Sequence, residues 1–157
     1  MNNLSSSIHD HIASALNEDI QGGDITASLI PDNEVLNVRL VCRDNAVLCG
    51  CEWFNEAFHQ LDESIKINWL KKDGDKLKAG EIICNLSGHA RSILSAERTA
   101  LNFLQTLSAT ATITRRYQKR IKHTGCRILD TRKTIPNLRL AQKYAVTCGG
   151  EIGRAHV

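Results

Sequence analysis

The chain has 157 residues, 42% of them hydrophobic, and a formal net charge of +3. That length supports one good core or two small ones, and it is too short for a complete eight-unit strand-helix barrel of about 250 residues. The basic residues are spread along the chain rather than gathered in a tail, the N-terminus lacks the basic start and apolar core of a signal peptide, and no run approaches a membrane span. The expectation is a cytoplasmic protein with small anionic ligands, without nucleic-acid or membrane partners.

Ser7 is placed to cap a first helix, with Asp10 three residues on and Ile8, Ile12 and Leu16 forming an apolar stripe that Gly22 and Gly23 end. The following turn, EDIQGGDIT, gathers Glu18, Asp19 and Asp24, for which turn and cap chemistry is favoured over a metal site. Leu36, Val38, Leu40 and Cys42 alternate with Asn37 and Arg39 in a half-buried strand, and Asp44-Asn45 turns into AVLCG, so a hairpin is predicted. Trp53, Phe54, Ala57, Phe58 and Leu61 share one face of a core helix, on which His59 reads as a surface or satisfied residue. Then come IKINWL, the turn KKDGD and EIICNLSG, short strands joined at Gly74 and Gly80. The run DGDKLKAGEIICNLSG is similar to turns of hammerhead and lipoyl-like domains, in architecture only, since no lysine sits at a symmetrical hairpin tip.

Cys42, Cys49, Cys51, Cys84, Cys126 and Cys148 lack paired zinc-knuckle spacing and mostly fall in apolar runs, so reduced core or near-core thiols are favoured over metal or disulfide. From about Ala90 the pattern becomes long helix without Gly or Pro as far as Gly125, with Leu94, Ala100, Leu101, Leu104 and Leu107 buried and a break near Ser108-Ala109 that would make two helices. In its second half Ile113, Tyr117 and Ile121 are expected on the buried side. Arg115, Arg116, Lys119, Arg120 and Lys122 are expected on a solvated face. Arg98 follows Glu97 in a small-residue stretch, where a charge needs a partner or a ligand.

The stretch CRILDTRKTIPNLR, Cys126 to Arg139, carries the clearest chemistry. Ile128 and Leu129 read as a buried strand spanning Arg127 to Asp130, and Thr131, Arg132, Lys133 and Thr134 lie at its exit. In strand-helix folds ligands bind at the carboxyl ends of strands. A guanidinium grips a carboxylate or phosphate with two parallel hydrogen bonds, and an ammonium is a movable point charge, so the pair suits two different anions. A last helix begins at Pro136 and ends at Gly149-Gly150, completing one strand-helix unit.

Taken together, EDIQGGDIT, DGDKLKAG, AERTALNFLQTLSATAT, ILDTRKTIPNLR and QKYAVTCGG closely resemble the quinolinate phosphoribosyltransferase family, over residues 18 to 150 and in the right order. The departures are Ala109 and Asn137 where the family usually has glycine, the second mild because asparagine tolerates a left-handed backbone. The resemblance implies an α/β protein with a hammerhead-like α+β domain and its long helix over 1–110, followed by the first part of an open α/β barrel over 111–150. It implies condensation of quinolinate with 5-phosphoribosyl 1-diphosphate to nicotinate mononucleotide, diphosphate and carbon dioxide, in a homodimer with magnesium. Arg132 would bind quinolinate, Lys133 would be catalytic, and Lys133 and Thr134 would contact the phosphoribosyl donor and substrate. Arg98 would reach a substrate carboxylate in the neighbouring subunit's site. A phosphoribosyltransferase-like protein associated with molybdenum transport, or a non-catalytic hammerhead-type binding module, are the alternatives.

The family continues beyond the glycine pair with further substrate cations and the acids that hold magnesium. Here Ile152 to Val157 correspond to ATC GGA AGA GCA CAC GTC, part of a common sequencing-library adapter. The expectation is a non-native tail over 151–157, so that His156 is no family residue and the chain as written is an inactive part of an enzyme.

Overall fold

The computed structural model describes residues 2–20, 29–31 and 33–150. The turn glycines Gly22 and Gly23, Asp24 and the tail from Glu151 lie outside these residues. Helix α1 (Asn2–Asp19) begins before Ser7, which therefore lies inside it rather than at its cap. Leu4 explains the extension: it continues the four-residue stripe of Ile8, Ile12 and Leu16 backwards onto the core.

Strand β1 (Val35–Val41) leaves Leu36, Val38 and Leu40 half-buried and the intervening side chains exposed, as its alternation predicts. The predicted hairpin does not form. β1 pairs antiparallel with β5 (Ile82–His89), whose other edge pairs with β3 (Lys66–Trp69), while β2 (Ala46–Val47) pairs with β4 (Lys76–Leu77). The chain is carried across rather than back because the Lys78–Glu81 turn captures it: Cys42 N donates to Glu81 O at 2.9 Å, Gly80 N to Cys42 O at 2.8 Å, and Ala79 N to Asn45 Oδ1 at 3.2 Å. Beyond this crossing the backbone meets the long helix, where Val47 N donates to Thr112 Oγ1 at 2.8 Å and Cys49 N to Ser108 Oγ at 3.0 Å. These hydroxyls satisfy donors that would otherwise be orphaned.

Helix α2 (Cys51–His59) supplies the aromatic centre, with Trp53, Phe54, Ala57 and Phe58 buried; Leu61 lies past the helix end and is partly exposed, and His59 is exposed. The Phe54 ring lies 4.9 Å from Phe58 and 5.2 Å from Trp69, in tilted and edge contacts. Gly50 opens the helix with φ 110°, and a Cβ there would come within 3.1 Å of Leu107 Cδ1, so only glycine combines this backbone with this approach.

Helix α3 (Ala90–Ile121) runs 32 residues through Ser108 and Ala109 without the expected break. Its hydroxyls bond back to their own helix, Thr110 to Thr106 O, Thr112 to Ser108 O and Thr114 to Thr110 O, so they do not compete for a non-helical backbone. Its buried face is Ile93, Ala96, Ala100, Leu104, Leu107, Ala111 and Thr114. Leu94 and Leu101 are only half-buried, and Ile113 (47% exposed) and Tyr117 (60% exposed) face outward, contrary to the apolar-stripe reading. Close packing of helix α4 (Arg139–Gly149) selects the small residues instead: a Cβ on Gly149 would lie 2.5 Å from Ala111 O and 2.6 Å from Thr114 Cβ. Arg115 is likewise drawn off the solvated face, its Nε donating to Gly149 O at 2.6 Å and capping the end of α4, while Arg116, Lys119, Arg120 and Lys122 are exposed.

The segment expected as a strand, Arg127 to Asp130, forms no ladder, and Leu129 is 56% exposed. A strand exists by pairing, and among the described residues both sheets are built from segments before Ala90. Among these residues no helix is long and apolar enough to cross a membrane.

Candidate functional site

The loop from Asp130 to Ile135 is fastened onto the first turns of α4. Lys143 Nζ pairs with Asp130 Oδ2 at 3.1 Å, Arg139 donates to Arg132 O at 3.3 Å and to Thr134 Oγ1 at 3.4 Å, and Ile135 N donates to Gln142 Oε1 at 2.8 Å. Within the loop, Lys133 N donates to Thr131 Oγ1 at 3.0 Å, a local turn that threonine favours. Asn137 then turns the chain into α4 with φ 62°, a left-handed backbone that asparagine tolerates.

The bracing leaves two cations available. Arg132 and Lys133 are exposed, and among the described residues neither side chain takes part in a hydrogen bond or ion pair. Asp130, the nearest acid in sequence, is occupied by Lys143, and its Oδ1 is buried without a hydrogen-bond partner among the described residues. The loop thus presents a fork of guanidinium donors and an adjacent ammonium on a backbone held from beneath. That arrangement can bind a planar carboxylate and a phosphate side by side.

Arg139, Gln142 and Lys143 were not singled out by sequence reasoning, yet their spacing of three and four residues on one helix face, directly after a basic loop, is a readable signal. Arg98 lies apart, in the first half of α3, where its Nη1 pairs with Asp19 Oδ1 at 2.9 Å at the end of α1. No hydrogen bond or ion pair joins Arg98 to the loop among the described residues. Its side chain is 74% exposed, so the charge has found a partner while most of the group remains accessible.

Magnesium is a hard cation that takes oxygen ligands. Among the described residues the one grouping of metal-capable side chains is Cys49, Asp73 and Cys148, whose two thiols do not suit it.

An antiparallel layer, a long spanning helix and a cationic loop braced at the start of the next helix define a protein of mixed helix and sheet. Residues 24–108 match the model of the quinolinate phosphoribosyl transferase N-terminal domain, and residues 110–156 match that of its C-terminal domain. The chain belongs to the quinolinate phosphoribosyltransferase family. It is 41% identical over 133 residues to a probable nicotinate-nucleotide pyrophosphorylase [carboxylating] of Bacillus subtilis, covering 85% of this chain and 46% of that protein. It is 37% identical over 135 residues to the chloroplastic nicotinate-nucleotide pyrophosphorylase [carboxylating] of Arabidopsis thaliana, covering 85% of this chain and 38% of that one. The solved nicotinate-nucleotide pyrophosphorylase of Francisella tularensis superposes with a TM-score of 0.91 at 46% identity, over 96% of this chain and 54% of that one. NadC of Streptococcus pyogenes gives 0.90 at 36% identity, over 95% and 53%. The chain therefore spans about half the length of the proteins it matches.

Proposed function

We propose that the protein to which this chain belongs transfers phosphoribosyl from 5-phosphoribosyl 1-diphosphate to quinolinate, with decarboxylation, giving nicotinate mononucleotide, diphosphate and carbon dioxide. The observation that carries this reading is the pair of exposed cations Arg132 and Lys133, unpartnered among the described residues, on a loop braced by Arg139, Gln142 and Lys143. Family membership and the names of the relatives support it.

In this reading the Arg132 guanidinium takes a quinolinate carboxylate in a bidentate grip, orienting the ring nitrogen toward the ribose carbon that carries diphosphate. Lys133 offsets the charge that grows on the departing diphosphate, and Thr134 contacts the donor, so catalysis comes from positioning and charge neutralisation without a covalent nucleophile. The new bond joins the ring nitrogen to that carbon as diphosphate leaves with its electron pair. The carboxylate beside the nitrogen departs as carbon dioxide, and the ring carbon left with the electrons takes up a proton. Arg98 serves the site of a second subunit in a homodimer, leaving Asp19 for a substrate carboxylate. Magnesium accompanies the diphosphate, its protein ligands lying outside the described residues, and the enzyme works in the cytoplasm. The 157-residue chain alone is inactive.

The test is product formation by the chain extended to the length of its relatives, supplied with phosphoribosyl diphosphate, magnesium and either quinolinate or nicotinic acid. Nicotinate mononucleotide from quinolinate is the expected result; a preference for nicotinic acid would overturn the substrate assignment.

A further inference from the structure

Three segments distant in sequence converge at the start of α2. Cys49, fully buried, immediately precedes Gly50; Asp73, half-buried, lies in the turn between β3 and β4; Cys148, half-buried, ends α4. One ligand atom from each, two thiol sulfurs and a carboxylate oxygen, lies within 4.8 Å of the others. The cluster is separate from the Arg132–Thr134 loop, which sits at the opposite end of α4, roughly 14 Å along the helix at 1.5 Å per residue.

The carboxylate is held in place before any ligand arrives. Asp73 Oδ1 accepts from Gly50 N at 3.0 Å and Cys51 N at 3.2 Å, and Oδ2 accepts from Tyr144 Oη at 2.8 Å. Outer hydrogen bonds of this kind orient ligating carboxylates in metal sites. The two sulfurs lie beside that carboxylate and within 4.8 Å of each other.

We propose that Cys49, Asp73 and Cys148 form a binding site for a thiophilic divalent cation such as Zn2+ or Cd2+, with a fourth coordination position open to water or a small ligand. Two thiolates and one carboxylate are a donor set that selects a soft or borderline ion over magnesium. Tetrahedral coordination with bonds of about 2.0–2.3 Å needs ligand atoms about 3.5–3.8 Å apart, a contraction of at most about 1.3 Å from the 4.8 Å that bounds the present cluster. Coordination releases both thiol protons to solvent and sets a 2+ ion against three negative groups. A bound ion would join the approach to α2, the β3–β4 turn and the end of α4 in one cross-link.

The reduced, metal-free chain is titrated with Cd2+, then Zn2+, with Mg2+ as control, following the ultraviolet cadmium–thiolate charge-transfer band, far-ultraviolet circular dichroism and the melting temperature. One equivalent of Cd2+ should saturate the band and raise the melting temperature, and Mg2+ should do neither. Cys148→Ser should weaken Cd2+ binding about 100-fold or more, since even outer-shell changes cost about 10–100-fold. Cys126→Ser, at an exposed position away from the cluster, should leave it unchanged. A folded chain with no band at one equivalent, or a band that persists in Cys148→Ser and falls in Cys126→Ser, would overturn the proposal. A Cys49–Cys148 disulfide appearing in air without cation uptake by the reduced chain would overturn it too.

Discussion

Tyr144 donates its phenol hydroxyl to Asp73 Oδ2 at 2.8 Å, and its ring lies 5.6 Å from Trp53. One side chain of α4 therefore touches both the carboxylate that caps α2 and the most buried aromatic of the core, and α4 in turn carries the braces of the cationic loop. The position of Arg132 and Lys133 is thus referenced to the N-terminal layers through α4. Burial and the neighbouring Asp73 push the Tyr144 hydroxyl well above the ordinary phenol range, so it remains a donor throughout the accessible pH range.

Tyr144→Phe keeps the ring contact and removes the donor. It should destabilise the chain by about 1–2 kcal/mol, the cost of a hydrogen bond to a charged acceptor that stays partly hydrated. Tyr117→Phe, at a 60% exposed position, should change little, and denaturant unfolding of the two variants side by side checks the difference.

Asp62 accepts hydrogen bonds from the Ser64 hydroxyl at 2.6 Å and from Ser64 N at 2.9 Å, and its other oxygen lies 3.0 Å from His89 Nδ1 at the start of α3. These bonds, Ser64 first and His89 next, hold its carboxyl well below the usual carboxylate range. A depressed value means that the stabilisation is complete above the unfolded carboxylate range and is lost as pH falls through it toward the folded value. Asp62→Asn should lower stability at pH 7, and the gap from the parent should close as pH falls below about 4. Melting curves from pH 7 to 2 test this; a gap that is constant across the range would show that the carboxylate charge is irrelevant.

Arg98 and Asp19 form an exposed pair of a kind worth about 0–1 kcal/mol, so Arg98→Ala should cost little stability. If Arg98 acts across a dimer interface, Arg98→Ala subunits of the extended protein mixed with Lys133→Ala subunits should regain activity that neither has alone. Failure to regain any, with subunit exchange demonstrated, would place Arg98 in its own subunit's site or outside catalysis.

The periodic parts of the fold were legible because short-range sequence sets them. Ile8, Ile12 and Leu16, and Trp53, Phe54, Ala57 and Phe58, are buried as their spacing requires. Asn137 adopts the left-handed backbone its residue type tolerates. The failures share a cause in long-range partners. Nothing near Val41 reveals that the Lys78–Glu81 turn intercepts the chain before a hairpin can close, and nothing near Gly50 reveals that Asp73 caps α2. The face α3 buries beyond Ala109 was misjudged because apolarity favoured Ile113 and Tyr117, whereas close approach by Gly149 of α4 demanded Ala111 and Thr114. In the candidate site, the exposure of Arg132 and Lys133 was readable from the polar loop sequence, but Arg139 and Lys143 gained their bracing role only when α4 folded back onto the loop.

The 157-residue chain should show no turnover with quinolinate, phosphoribosyl diphosphate and magnesium. Leu129, Ile135 and Leu140 are 56%, 45% and 41% exposed, and the extended segment before Asp130 has no ladder partner among the described residues. Amides in β5 should resist hydrogen exchange while those of residues 126–130 exchange quickly. Product above a no-protein control, together with protected amides in that segment, would show a site complete in this chain.

The claim that the Arg132–Lys133 loop is the quinolinate site is tested most directly by calorimetric binding of quinolinate to Arg132→Lys in the chain extended to the length of its relatives. Lysine keeps the charge and loses the planar fork, so affinity should fall by roughly 1.5–3 kcal/mol, or about 10- to 150-fold, while the melting temperature stays near that of the parent. Unchanged quinolinate affinity in a folded Arg132→Lys protein would contradict the assignment of Arg132 as a carboxylate ligand and, with it, the account of the loop.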